Sequence, residues 1–318
     1  MRLLKLVPDD TNIGFVQWRF VGVGITVALV VLSIVGLATR GLNYGVDFAG
    51  GVVMQLTFEQ DADIPDIRQR IGALDIGNTS VTEFGSPDVV QIRLPLPETE
   101  GPDAVQERGA RVLGAISGAY PGVTLDSQDI VSGKVSGELI RDGTLAALLA
   151  MVGVAAYIWI RFEWQFGVGA LIALVHDVLI ALGLFAWTNI EFNLNIIAAL
   201  LTIIGYSLND TIVNYDRIRE NLRKYRKMEM IPLLDLSINE MLARTVMTSL
   251  TMAVALLALL IFGGEVLFGF TLAMLIGVFV GTYSSIYVAG PILIWLGVGP
   301  NSFLAEETSG AERVDTRG

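Results

Sequence analysis

Ile203-Ile204-Gly205-Tyr206-Ser207-Leu208-Asn209-Asp210-Thr211-Ile212-Val213 is an apolar run with a carboxylate in its middle. An ionised Asp at the centre of a membrane-spanning helix costs about 2.5–3.5 kcal/mol on insertion scales. Acids kept at that cost mark ion or proton pathways by default. Residues three or four apart share a helix face, which aligns Tyr206, Ser207, Asp210 and Asn214, while Ile203, Ile204, Leu208 and Ile212 are apolar. A polar face on a spanning helix turns toward a bundle interior or a water-filled path.

Outward from this stretch, six segments are apolar enough to cross a hydrocarbon core, which takes about 20 helical residues. They are Phe20–Thr39, Thr144–Ile160, Gln165–Thr188, Leu194–Tyr215, Thr245–Phe262 and Phe268–Leu296. The chain is 53% hydrophobic and 17% charged. A soluble domain carries about a quarter charged residues, so this is an integral membrane protein, mainly α. No cysteine is present, which excludes disulfides, thiolate nucleophiles and cysteine metal sites; one histidine excludes a multi-histidine metal centre. Neither a metal nor a cofactor is expected. A net charge of −11 argues against nucleic acid as a partner.

Arg2, Lys5 and Arg19 flank the first span, and Arg217, Arg219, Arg223, Lys224, Arg226, Lys227 and Arg244 lie between spans four and five. The positive-inside rule makes both regions cytoplasmic. The expected division is then 1–40 as N-terminus and first span, an uncleaved signal anchor; 41–142 as a periplasmic domain; and 143–298 as spans two to six. A cytoplasmic loop is expected over 216–244, and a disordered cytoplasmic tail over 299–318.

The outer domain has a legible pattern. Gly51–Phe58, Ser80–Phe84, Asp88–Leu94 and Val123–Val131 read as strands. Ile64–Leu74, with Pro65 in its first turn, and Asp103–Tyr120 read as amphipathic helices. The order β-α-β-β-α-β predicts a ferredoxin-like α+β domain between spans one and two.

Three stretches together resemble one family. Gly45-Val46-Asp47-Phe48-Ala49-Gly50-Gly51 is similar to the DFxGG signature of the SecD/SecF proteins, with Ala49 where the family often has Thr. The run Gly205 to Asn221, with Asn209-Asp210-Thr211 at its heart, resembles the family's fourth-span signature. Arg244-Thr245-Val246-Met247-Thr248-Ser249-Leu250 and Gly281-Thr282-Tyr283-Ser284-Ser285 match its fifth and sixth spans. The resemblance implies a six-helix RND-type bundle in the bacterial inner membrane and a non-enzymatic role in protein export driven by the proton-motive force. The partners it implies are SecD, the SecYEG channel, YajC, YidC and an unfolded preprotein.

The resemblance also weights the site residues. Asp210, with Asn209 and Thr211 beside it, is the expected proton-coupling residue, because a carboxyl removed from water favours its neutral form. Arg244 is its expected partner; from the residues alone it reads equally as a headgroup anchor. Thr245, Thr248 and Ser249 offer hydroxyls. His176 and Asp177 interrupt span three, and either fix interhelical packing or serve a secondary relay. As neighbours about 100° apart they cannot both line one narrow path. Asp47, Phe48, Gly50 and Gly51 form a tight turn where span one meets the outer domain, read as a coupling joint. Ala273, Gly277, Gly281, Ser285 and Ala289 recur every four residues in span six, a stripe for close helix packing inside the chain or against a partner. Pro291 should kink or end that helix.

An enzymatic alternative pairs Asp177 with Asp210 as an intramembrane aspartyl protease. The GxGD motif of such proteases is absent, and Asp210 sits in Asn-Asp-Thr instead.

Overall fold

The computed structural model describes residues 8, 11–77, 79–96 and 102–299. Six helices in it are long and apolar enough to cross a membrane: Val16–Thr39, Gly133–Arg161, Trp164–Thr188, Leu194–Lys224, Met230–Phe262 and Gly264–Trp295. These are spans one to six. The expected disordered tail lies almost wholly outside the described residues, as do Arg2 and Lys5.

Three helices run past their apolar segments. Span two begins at Gly133, where Ser132 Oγ accepts the N–H of Val135 at 3.4 Å as an N-cap. Span four continues through Asp216-Arg217-Ile218-Arg219-Glu220-Asn221-Leu222-Arg223-Lys224, mostly good helix formers. Span five starts at Met230 with Pro232 in its first turn, where the missing N–H has no helical partner to lose. The region 216–244, read from sequence as a loop, is therefore a helical hairpin whose turn is only Tyr225–Glu229. Asn221 Nδ2 donates to Ser237 Oγ at 3.0 Å and to Glu240 at 2.7 Å, and Arg217 Nε bonds Glu240 at 2.7 Å, tying the two arms together.

Span six changes geometry near its end. It is α-helical to Ser284, π-helical over Ser285–Ala289, and α-helical again from Gly290 to Trp295. Pro291 has no N–H for the carbonyl four residues back, which favours a change of helical register at this point.

The small domain between spans one and two is a four-stranded antiparallel sheet with helices Ile64–Gly72 and Pro102–Ala119. Its strands lie in the order 80–84, 86–94, 51–57, 124–131. Val52, Met54, Leu56, Val90, Ile92 and Leu94 pack against Ile67, Ile71, Val112 and Ile116 in one core. Asp63 caps the first helix by accepting the N–H of Asp66 at 3.1 Å.

The two parts meet at one joint. Asn43–Tyr44, after span one, pairs in parallel with Glu191–Phe192, before span four. Gly45 N–H donates to Phe192 O at 2.9 Å, and Ser136 Oγ of span two donates to Phe48 O. Phe48 and Phe192 pack with ring centroids 5.8 Å apart and planes tilted by 34°, within the apolar core shared by Phe185, Ile196 and Ala273. Gly51 holds φ +128°, and a Cβ there would fall onto the Leu94 carbonyl oxygen. Only glycine fits that position.

Candidate proton-coupling site

Asp210 lies in the middle of span four, half-buried, and both its oxygens are held by hydroxyls from other helices. Thr245 Oγ1 of span five donates to Oδ1 at 2.9 Å, and Ser285 Oγ of span six donates to Oδ2 at 2.7 Å. The approach of span six depends on its small stripe. A Cβ at Gly277 would run into the Ile203 side chain, and one at Gly281 would sit 3.0 Å from Ser207 Cβ. The stripe therefore packs inside the chain, against span four, and delivers Ser285 to the acid.

Among the described residues no close ion pair joins Arg244 to Asp210, although the guanidinium lies within electrostatic reach of the carboxyl. Thr245, its neighbour, faces the acid, and consecutive helix residues diverge by about 100°. Arg244 instead lines an open cavity of about 420 Å³ with Tyr157, Arg161, Asp216, Arg217 and Glu220. The expected direct ion pair is thus replaced by a hydroxyl contact. Asn209 is exposed on the chain's surface, while Thr211 is buried at 2% exposure; neither bonds Asp210. Thr248 turns back to the carbonyls of Arg244 and Thr245 on its own helix. Ser249 joins a second polar bridge: Tyr206 Oη donates to it at 3.3 Å, and it bonds Thr282 Oγ1 at 2.7 Å.

His176 and Asp177 are both buried, at 3% and 1% exposure. Their side chains are not separated as helical spacing suggests; His176 Nδ1 lies 2.8 Å from Asp177 Oδ1. Asp177 Oδ2 accepts from Ser207 of span four and from Ser284 of span six, the latter at 2.9 Å. The two serine bonds are interhelical, whereas the His176–Asp177 contact lies within span three. Ser284 was not legible as a ligand of Asp177. Ser285 was legible only as a small packing residue, and the signal for both was a serine pair one to two turns before Pro291.

Asp47 sits in a single helical turn, Val46–Ala49, and its Oδ2 accepts the backbone N–H of Leu194 at 2.9 Å. It caps span four rather than its own turn. A second tie is the ion pair between Arg93 of the sheet and Glu191. Burial pushes the Glu191 carboxyl up, and the Arg93 guanidinium only partly opposes that shift. Among the described residues, no group of His, Asp and Glu side chains is arranged to hold a metal ion.

A family model described as protein export membrane protein SecD/SecF, C-terminal, matches residues 115–299, and one described as the SecD/SecF GG motif matches residues 35–62. Protein translocase subunit SecF of Cereibacter sphaeroides is 44% identical over 305 residues, covering 93% of each chain. The SecF of Rickettsia bellii is 41% identical over 291 residues, covering 91% of this chain and 95% of its own. The crystal structure of SecDF, a translocon-associated membrane protein from Thermus thermophilus, matches with a TM-score of 0.81 at 34% identity. That match covers 91% of this chain and 39% of the SecDF chain. On these grounds the chain belongs to the SecD/SecF family of protein export membrane proteins, among its SecF members.

Proposed function

We propose that the chain is a SecF-type accessory subunit of the Sec translocase that turns proton movement at Asp210 into movement of its outer domain. The role is not enzymatic. The observation that carries the coupling is that Asp210 is held by hydroxyls from two other helices on the same helix whose first turn is capped by Asp47. Span four therefore links the acid to the joint, about 24 Å away along its axis. One charge crossing ~150 mV releases about 3.5 kcal/mol, enough to shift a two-state equilibrium a few hundredfold.

SecD is the proposed membrane partner. Thr202, Gly205 and Asn209 form an exposed, polar and open stripe on span four, with nothing within 4 Å of a Cβ at Gly205. A polar stripe at mid-membrane suits a protein neighbour better than lipid. Much of the SecDF chain lies beyond the part this chain matches, and a second, similar six-span half about an axis along the membrane normal fits that remainder. In this reading Arg244 and its cavity face the partner, and Arg244 reaches Asp210 only when the helices shift.

The orientation has both termini and the 216–244 hairpin in the cytoplasm and the sheet domain in the periplasm, supported by the basic residues of the hairpin. The antiparallel order of the sheet, with its two helices interleaved between strands, supports a ferredoxin-like domain. Asp47, Phe48, Gly50 and Gly51 act as the coupling joint. Contact with the SecYEG channel is supported by the translocon association that the Thermus SecDF structure's description states. The unfolded preprotein follows from that association, and YajC and YidC follow from family resemblance alone. The protease alternative finds no support, because Asp177 and Asp210 are engaged by different serines and share no hydrogen bond.

The test is export in vesicles containing this chain and SecD, with and without a protonophore. The proposal expects the stimulation of export to vanish on uncoupling. Stimulation that survives uncoupling contradicts it.

A further inference from the structure

The polar network does not end at Asp210. Ser284 and Ser285, adjacent where span six passes from α to π geometry, divide between two acids: Ser285 Oγ donates to Asp210 at 2.7 Å and Ser284 Oγ to Asp177 at 2.9 Å. Span four repeats the division. Asp210 and Ser207 lie one turn apart on it, and Ser207 donates to the same oxygen of Asp177 that Ser284 uses. The other oxygen of Asp177 meets His176 Nδ1 at 2.8 Å. One buried carboxyl on span three therefore gathers hydroxyls from two of the three helices that form the Asp210 site, spans four and six.

A π turn has poor intrinsic stability and persists where outside contacts hold it. Anchoring Ser284 fixes the rotation of span six at the residue just before that turn, and so fixes the direction of Ser285. Anchoring Ser207 fixes span four at the same level. We propose that Asp177 is a positioning residue for Asp210: it clamps spans four and six through Ser207 and Ser284, so that Ser285 is presented to the Asp210 carboxyl. The clamp couples span three to whatever happens at Asp210, and rests on the reading of Asp210 as the proton-coupling acid.

The charged and titratable groups around the network come from each packed element. They are Tyr206 on span four, Arg244 on span five, Tyr283 on span six and His176 on span three, with Tyr157 and Arg161 of span two and Asp216, Arg217 and Glu220 of span four lining the cavity beside Arg244.

The experiment is an infrared pH titration of the reconstituted complex with SecD. The carboxyl band that disappears in Asp210→Asn belongs to Asp210, and its midpoint is then read in Asp177→Ala, Ser284→Ala, Ser285→Ala and the Ser284→Ala/Ser285→Ala double variant. Loss of one hydrogen bond to a charged group changes proton affinity by about tenfold, or about one pH unit. The clamp predicts a shift of that size in Asp177→Ala, which removes the acceptor, and in Ser284→Ala, and a double variant that behaves like Ser285→Ala alone, because Ser284 acts through Ser285. Midpoints unchanged in Ser284→Ala, or additive shifts in the double variant, overturn it. Ser284→Ala removes a single oxygen, so the test stands if Asp177→Ala does not assemble. Export measured in parallel separates the two readings: proton-driven export retained by Asp210→Asn sinks the Asp210 reading, while the infrared midpoints still decide the clamp.

Discussion

Asp47, in the turn that follows span one, accepts the backbone N–H of Leu194 at 2.9 Å and so caps the helix that carries Asp210 sixteen residues further on. The first four N–H groups of a helix lack partners within it, and a carboxylate at that end satisfies one and complements the helix dipole. The chain thus binds the start of span four to the joint of the sheet domain through one side chain. Glu191 and Arg93 repeat the connection from the sheet side.

Loss of that cap should loosen the start of span four first. Asp47→Ala is expected to cost about 1 kcal/mol locally, which appears as roughly fivefold faster hydrogen exchange of the amides at 194–197. Asp47→Asn should retain part of the protection, and equal loss in both variants would argue that charge rather than capping matters.

The Arg93–Glu191 tie makes the joint sensitive to pH. Glu191 is held above its ordinary value of 4.5 by burial. An acid shifted that way gives its full contribution to folding below the ordinary value and loses it as pH rises through the folded-state value. The stability of the wild type relative to Glu191→Gln should therefore fall from pH 4 toward neutrality in thermal unfolding. A gap that is flat or widens with pH contradicts this.

Gly51 and Gly281 should tolerate substitution poorly for different reasons. Gly51→Ala combines strain at φ +128° of about 1–3 kcal/mol with a collision against backbone, and should lower accumulation of the folded chain. Gly281→Val pushes span six off Ser207 and should separate Ser285 from Asp210, with an overpacking cost of about 1–3 kcal/mol. Gly205→Leu, open in this chain, should leave its own unfolding temperature unchanged and yet reduce co-purification with SecD. Normal co-purification would remove the span-four stripe as the partner face.

Much of this was legible because the residues in question are expensive where they stand. Asp210 announced itself by its place in an apolar run, and the paired glycines after Asp47 by needing backbone conformations closed to other residues. The strand and helix pattern of the sheet domain followed from apolar spacing, with ends within a few residues of those observed. Hydropathy, however, marks only where lipid must be faced. It says nothing about Asp216–Lys224 or Met230–Arg244, which continue as helix because their residues favour it. The partners of Asp210 were hidden for a related reason: Ser285 fits a small-residue stripe as well as it fits a hydrogen-bond role, and only the packing of span six on span four distinguishes them. Charge complementarity pointed to Arg244, but helical phase gave the contact to Thr245.

The measurement that bears most directly on the central claim compares proton-driven export by wild type, Asp210→Asn and Arg244→Ala in vesicles adjusted to equal levels of assembled complex with SecD. The account predicts that Asp210→Asn assembles normally, exports at the rate seen without a gradient, and no longer responds when a gradient is imposed. A gradient response in Asp210→Asn equal to that of wild type would contradict it.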